Sequence, residues 1–353
     1  MKTMDKSSQM SQYKQTSRLK VGMIILGIFL CVVVFICSIL VGTYGLTLEE
    51  MLYTLFHPAD KSVMAYTIVW TIRLPPAVTG ILAGIALSLA GATMQTILNN
   101  PLATPYTLGV SSGAGLGAYL AIVIGVEAFA VLGRYLLPVF AFVFALAACL
   151  SIYAIAKARN FTSSIMLLAG IGMNFLFSAA QTLLQYAASA EELQTAMFWL
   201  FGSLNRSKWE DLAILFPVIV VCFIYIYRNS WKLTAMQLGD AKAKTLGIPV
   251  EKLRMRMFIV ISLLTATAVA FVGTIGFIGL VGPHIARMLV GEDQRYFIPM
   301  SCTCGALILS AAGLAARTIV PGTILPIGVL TSLLGVPFFF LLILKKKRGI
   351  QNA

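Results

Sequence analysis

The stretch Ile72–Gln95, IRLPPAVTGILAGIALSLAGATMQ, carries one basic residue, Arg73, and then no charge to its end. As a helix rising about 1.5 Å per residue, it is long enough to cross the roughly 30 Å hydrocarbon core of a bilayer. Gly80, Ala83, Gly84, Gly91 and Ala92 recur along it. Lipid gives no hydrophobic push between helices, so small residues stabilise a bundle there by letting backbones approach. The pattern predicts an inner, tightly packed helix, and packing alone accounts for its glycines without any substrate.

The rest of the chain has the same character. It is 59% hydrophobic and only 11% charged over 353 residues, with a mean hydropathy of +0.90. That is more apolar surface than one aqueous core buries. Apolar runs fall at 21–43, 77–98, 107–126, 136–156, 163–187, 211–227, 257–274, 277–290, 296–316 and 325–344, the eighth being short for a full crossing. Long uninterrupted runs are not the short alternating segments of a membrane barrel. The expected fold class is all-α, a polytopic membrane helical bundle of about ten transmembrane helices. It forms a single domain over 21–348.

The net charge is +13, but the bases form no nucleic-acid stripe. They sit before the first span (Lys2, Lys6, Lys14, Arg18, Lys20), after the fourth (Lys157, Arg159), after the sixth (Arg228 to Arg256), after the eighth (Arg287, Arg295) and at the end (Lys345 to Arg348). With ten spans all of these fall on one side, which the positive-inside rule makes cytoplasmic, with both termini inside. The alternate loops carry the acids Glu49, Glu50, Asp60, Glu127, Glu191 and Glu192, with Arg134, Arg206, Lys208 and Arg317 as exceptions. Residues 1–20 read as a disordered cytoplasmic tail and 349–353 as a short C-terminal tail. The first apolar run is too long for a cleavable signal peptide. All six cysteines lie in or at the ends of apolar runs, as reduced packing residues rather than metal ligands.

Three further stretches punctuate the bundle. In NNPLATPYTLGVSSGAGLGAYLA, Asn99, Asn100, Pro101 and Pro105 break a helix, after which Gly109, Gly113 and Gly117 share one face with Ser111 and Ser112 beside it. Such a face either meets another helix closely or lines a polar pathway, and spacing does not decide which. In GTIGFIGLVGPHIARMLVGEDQR, Gly273, Gly276, Gly279 and Gly282 precede Pro283, so the helix is broken or re-entrant and must be buried in protein. His284 follows; it could serve as a proton carrier or ligand, but with no acid in sequence reach the reading as a hydrogen-bonded structural histidine is favoured. Third, QLGDAKAKTLGIPVEKLRMRM (237–257) gathers an acid, small residues and bases. Gly239 and Asp240 can cap a short helix, Ala241 to Leu246 can form it, and Gly247 can close it in a left-handed turn before Pro249. Charge pattern alone leaves this segment either a solvated loop or a docking handle.

Taken in order, IRLPP, NNPLATPYTLGVSSGAGLGA, LLAGIGMNFLFSAAQTLLQY, FWLFGSL, LGDAKAKTLGI, TIGFIGLVGPHIARMLVGEDQR and LPIGVLTSLLGVPFFFLLIL resemble the permease subunit of the ABC importers for iron-siderophores, haem and vitamin B12, from about Arg73 to Leu344. The resemblance implies a dimer of two permease chains with the path between them, two cytoplasmic ABC ATPase subunits, an extracytoplasmic solute-binding protein, and a bacterial or archaeal cytoplasmic membrane. It places ATPase coupling on 237–248, with Gly239, Asp240, Ala241, Lys244, Leu246 and Gly247, where small residues at 239, 241 and 243 permit close docking and Lys242 and Lys244 pair with acids on the partner. Arg73 and Arg317 match positions that dock glutamates of the binding protein. Pro76 stands where the family often has a second arginine, and Ile324 where it has an acid, which implies fewer salt bridges. Gly109, Ser111, Ser112, Gly113 and Gly117 are candidates for the path or for helix packing.

The chain has no G-x-x-x-x-G-K-[ST] loop, so ATP and Mg are expected on a partner and no cofactor, metal or catalytic residue on this chain. An intramembrane enzyme would need convergent acid, base and nucleophile, yet only two histidines are present. An ion-coupled carrier would need intramembrane acids, of which the spans have essentially none. A ferric siderophore is the first expected substrate, then haem or cobalamin.

Overall fold

The computed structural model describes residues 6–42, 44–57, 64–125, 130–159, 161–320 and 323–350. Asp60 and Glu127 of the expected outer loops, and 1–5 and 351–353 of the expected tails, lie outside them. Among the described residues there are helices and no strands.

Helix α1 (Lys6–Leu40) is followed by the short α2 (Leu48–Phe56) and by a continuous rod built of α3 (Met64–Tyr66), a π-helical stretch Thr67–Arg73 and α4 (Leu74–Leu98). Then come α5 (Val110–Val123), α6 (Ala130–Ala158), α7 (Ser163–Ala187), α8 (Ala190–Leu200), α9 (Trp209–Arg228), α10 (Ser230–Met236), α11 (Asp240–Thr245), α12 (Val250–Val272), α13 (Ile278–Val290), α14 (Gln294–Thr318) and α15 (Ile327–Ile350). Each of the ten apolar runs has its helix. Seven are long and apolar enough to cross a membrane, while Val110–Val123, Ile278–Val290 and the apolar part of α15, Ile327–Pro337, are shorter.

The inner helix is the one the opening stretch predicts. The most apolar window of the Met64–Leu98 rod is 83% buried, against 17% for α7. Glycine is required where α4 crosses its neighbours: a Cβ on Gly84 would lie 2.7 Å from the Gly305 carbonyl carbon in α14, and one on Gly91 2.6 Å from the Gly279 Cα in α13. The hydroxyls of α4 are paired, Ser88 donating to the Ser301 carbonyl at 2.6 Å and Thr93 and Thr96 to carbonyls one turn back, so the apolar interior carries no cost from them. Pro75 and Pro76 lack the N–H groups that would continue an α-helical ladder, and the backbone immediately before them is wound as a π-helix.

Three expectations are corrected. The 107–126 run is not one span: Thr104 and Thr107 bond reciprocally at 3.2 Å, a 3₁₀ turn follows, and Gly109 (φ +74°) bends the chain before α5. Helix α12 starts at Val250, earlier than the apolar run, so Lys252, Arg254 and Arg256 belong to it. The supposed disordered tail is helical from Lys6, because α1 extends past the bilayer-length run and is held there: Ser17 Oγ lies 2.6 Å from the Tyr296 hydroxyl and Lys20 sits over the Tyr296 ring. The break before α13 is as expected, with Gly273 at φ +73° and Phe277 at φ +67° flanking it. All six cysteines are free, five of them buried.

Candidate functional site

The handle is a built object. Gly239 enters at φ +95°, outside the range other residues adopt comfortably, and α11 runs Asp240–Thr245. Gly247 (φ +78°) donates to the Lys244 carbonyl at 2.9 Å and Ile248 to the Ala243 carbonyl at 3.1 Å, the paired bonds of a Schellman ending. Ile248 and Ala243 are both buried and pin the short helix to the bundle. Ala243 is therefore not a docking residue, contrary to expectation. What faces outward is Ala241, Lys242, Lys244, Gly247 and two large apolar side chains, Leu246 (51% exposed) and Leu238 (57%).

Two assigned roles change. Lys244 is already paired with Glu251 in the first turn of α12, at 2.5 Å. Asp240 does not cap α11 through its side chain; its carboxylate accepts from Arg254 Nη2 at 2.7 Å. Arg254, which sequence reading counted among surface bases, is 1% exposed. Its Nε donates to the Ile97 carbonyl at 2.7 Å and its Nη1 to the Phe161 carbonyl at 2.8 Å.

A cleft of about 790 Å³ opens on one side of the bundle. It is lined by Leu102, Thr104, Tyr106 and Thr107 from the turn after α4, by Thr274, Gly276 and Phe277 from the break before α13, and by one face of α15 including Ser332. Among the described residues that line it, none is charged. The small-residue face of α5 is not part of it. A Cβ on Gly113 would lie 2.7 Å from the Phe144 carbonyl oxygen and one on Gly117 2.8 Å from the Phe140 carbonyl carbon, both in α6. Gly109 lies against Asn174, Ser112 bonds the Asn174 side chain, and Ser111 is buried. These five residues pack helices; the turn just before them lines the cleft. The Asn99–Pro105 break announced the turn, but nothing marked it as lining a cleft, since its hydroxyls and Tyr106 follow no helical period.

At the end of the bundle away from α11, Arg73 and Arg317 differ sharply. Arg73 is buried, donating to the Ile39 carbonyl at 2.6 Å, to the Leu40 carbonyl at 2.9 Å and to that of Tyr44. It closes the C-terminal end of α1, whose last carbonyls lack intrahelical donors. With its guanidinium buried on these carbonyls, Arg73 has a structural use beside the docking role expected of it. Arg317 is half-buried, with Nε donating to the Gly313 carbonyl at 3.2 Å, and it is the arginine of the pair more open to a partner. His284 is half-buried in α13.

The family model that describes the FecCD transport family matches residues 30–345. The chain belongs to the FecCD transport family. It is 37% identical to the hemin transport system permease protein HmuU of Yersinia pestis, over 83% of this chain and 88% of that one. It is 32% identical to the molybdate import system permease protein MolB of Haemophilus influenzae, over 92% and 95%. A solved structure described as a metal-chelate-type ABC transporter in an inward-facing conformation superposes with a TM-score of 0.82 at 30% identity, covering 92% of this chain and 99% of that one. The protein is thus a membrane-spanning FecCD permease of an ABC importer. Relatives named for haemin and for molybdate share this fold, so the family does not fix the cargo.

Proposed function

We propose that this FecCD permease moves a ferric siderophore or a related metal chelate through a cleft completed by a second permease chain, in the cytoplasmic membrane, driven by two ATPase subunits docked on α11. The observation that carries this reading is α11 itself. A six-residue helix, closed at both ends by glycines and seated through Ala243 and Ile248, turns Leu238 and Leu246 to the outside. Isolated exposed leucines on so rigid a mount suit insertion into an apolar notch of a partner. Hydrolysis belongs to that partner, because this chain lacks a phosphate-binding loop. The remaining members are a solute-binding protein at the opposite end, met by Arg317, and the lipid around the exposed apolar faces of α1 and α7.

The uncharged lining favours a chelate over a bare oxyanion. Molybdate would need cationic or multiple N–H donors to replace its hydration, whereas a ligand-wrapped metal presents amide, hydroxyl and apolar surface that Thr104, Thr107, Thr274 and Ser332 can meet weakly. Weak, distributed contact lets cargo leave.

Leu246→Asp tests docking. Gly239 is the poorer site for a substitution, since its φ of +95° strains any side chain whatever the partner does. The introduced carboxylate would need burial against an apolar notch, so co-purification of the ATPase subunits and ATP-dependent uptake in proteoliposomes should both fall at least about a hundredfold. Normal recovery of the ATPases with this variant would refute α11 as the dock. Uptake of ⁵⁵Fe-loaded siderophores, with haem, cobalamin and molybdate as competitors, assigns the cargo; saturable competition by molybdate alone would reject the chelate reading.

A further inference from the structure

Resting on the docking reading of α11, we infer that Arg254 is the positioning residue that carries displacement of α11 to the cleft. The guanidinium joins three separate segments, through one carboxylate and two backbone carbonyls. Nη2 holds Asp240, the first residue of α11; Nε holds the carbonyl of Ile97 in the last turn of α4; Nη1 holds the carbonyl of Phe161 in the turn before α7. Five donors in a rigid plane suit this, and lysine, with one nitrogen, cannot span the same three acceptors.

From Ile97 the chain reaches the cleft through a run of bonded turns. Asn99 is left-handed at φ +48°, and Asn100 N–H donates to the Gln95 carbonyl at 3.0 Å. Asn100 Oδ1 accepts from the Leu102 N–H at 2.9 Å, and the Thr104–Thr107 pair then locks the turn that carries Tyr106. Leu102, Thr104, Tyr106 and Thr107 are cleft-lining residues. On the other arm, Phe161 sits at φ +50°, its N–H bonded to the Ala156 carbonyl at 2.8 Å, directly ahead of α7. Neither arm contains a glycine between the guanidinium and the cleft or the start of α7. A shift of α11 relative to the bundle therefore pulls on the cleft-lining turn and on the base of the exposed helix α7 together. Arg254 is too deeply buried to touch a partner protein, so any effect of changing it passes through these contacts.

The test uses the complete transporter, with ATPase subunits and binding protein, in proteoliposomes. Uptake and ATP hydrolysis are measured on the same vesicles, and ATPase recovery is measured alongside. For Arg254→Lys the ATPases should still co-purify, while cargo moved per ATP falls about tenfold, the scale of a typical coupling between sites. Asp240→Asn, at a half-exposed side chain, is the variant that keeps the test open should the lysine form fail to fold; its uptake per ATP should fall in the same direction. The double variant should be no worse than the lysine single, because the two substitutions break one link. An unchanged ratio in either folded variant overturns the inference while leaving docking intact. Additive losses in the double variant also overturn it. A wild-type chain that recruits no ATPase overturns both readings.

Discussion

Replacing Gly91 with valine should remove the folded protein from the membrane. At this position α4 and α13 touch backbone to backbone, and a new Cβ would overlap the Gly279 carbonyl, with the Gly279 Cα at 2.6 Å. The obstacle is main chain, which cannot swing aside as a side chain can. Relief requires α13 to move away from α4, yet the same α4 face is fixed a few turns away against α14 at Gly84 and Gly305 and through the Ser88 bond to Ser301. Overpacking a core costs about 1–3 kcal/mol where side chains yield and more where they cannot. With membrane association built on close packing rather than on exclusion of water, the whole inner interface is at stake. Fluorescence size-exclusion of a tagged Gly91→Val chain should show aggregate or no peak, whereas Gly172→Val, in open space on α7, should elute as the parent does. A monodisperse, transport-competent Gly91→Val protein would mean that α4 and α13 do not cross this closely.

The spans were legible because bilayer thickness imposes a length that composition reveals directly, and the α4 glycines were legible because small residues have one main use in lipid. The ends were harder. Helices α2 and α8 were not anticipated, although Thr47-x-x-Glu50 and Ser189-x-x-Glu192 spell the reciprocal cap of a helix start in plain sequence. In each box the N–H of the capping Thr or Ser holds the glutamate below the ordinary carboxylate range, so both acids serve their own helices. Reading them only as outer-loop charge missed that use.

Arg254 was illegible for a different reason. Its neighbours Lys252 and Arg256 are exposed, and nothing local distinguishes it from them. What buries it are carbonyls 157 and 93 residues away in sequence. Helix α11 could be read from its glycines, but its attachment could not. The cleft fell between these cases: the Asn-Asn-Pro break announced a turn, while the choice between packing and path for Gly113 and Gly117 needed the position of α6.

Arg73 gives the second large effect, and it separates structure from docking. Replacing it with methionine, close in length and apolar, leaves the carbonyls of Ile39, Leu40 and Tyr44 without the donor that now meets them. Of these acceptors Ile39 is buried, Leu40 half-buried and Tyr44 exposed; the buried one left unpaired costs about 1–3 kcal/mol, a sizeable part of the roughly 5–15 kcal/mol that holds a typical domain folded. Glutamate would be worse, setting an anion against the negative end of α1. Gly42 narrows the escape further, since its Cα approaches the guanidinium so closely that a Cβ there would lie 2.5 Å from Nη2. Both Arg73→Met and Arg73→Glu should therefore lose expression and thermal stability in detergent, independent of any binding protein. Arg317→Glu should behave otherwise: half-exposed and bonded only to the Gly313 carbonyl among the hydrogen bonds described for it, it should leave the melting curve near that of the parent. Its affinity for the solute-binding protein should drop at least about tenfold, the effect of reversing one charge at an interface. A stable Arg73→Met chain with weakened binding-protein affinity would reverse these assignments and make docking the main use of Arg73.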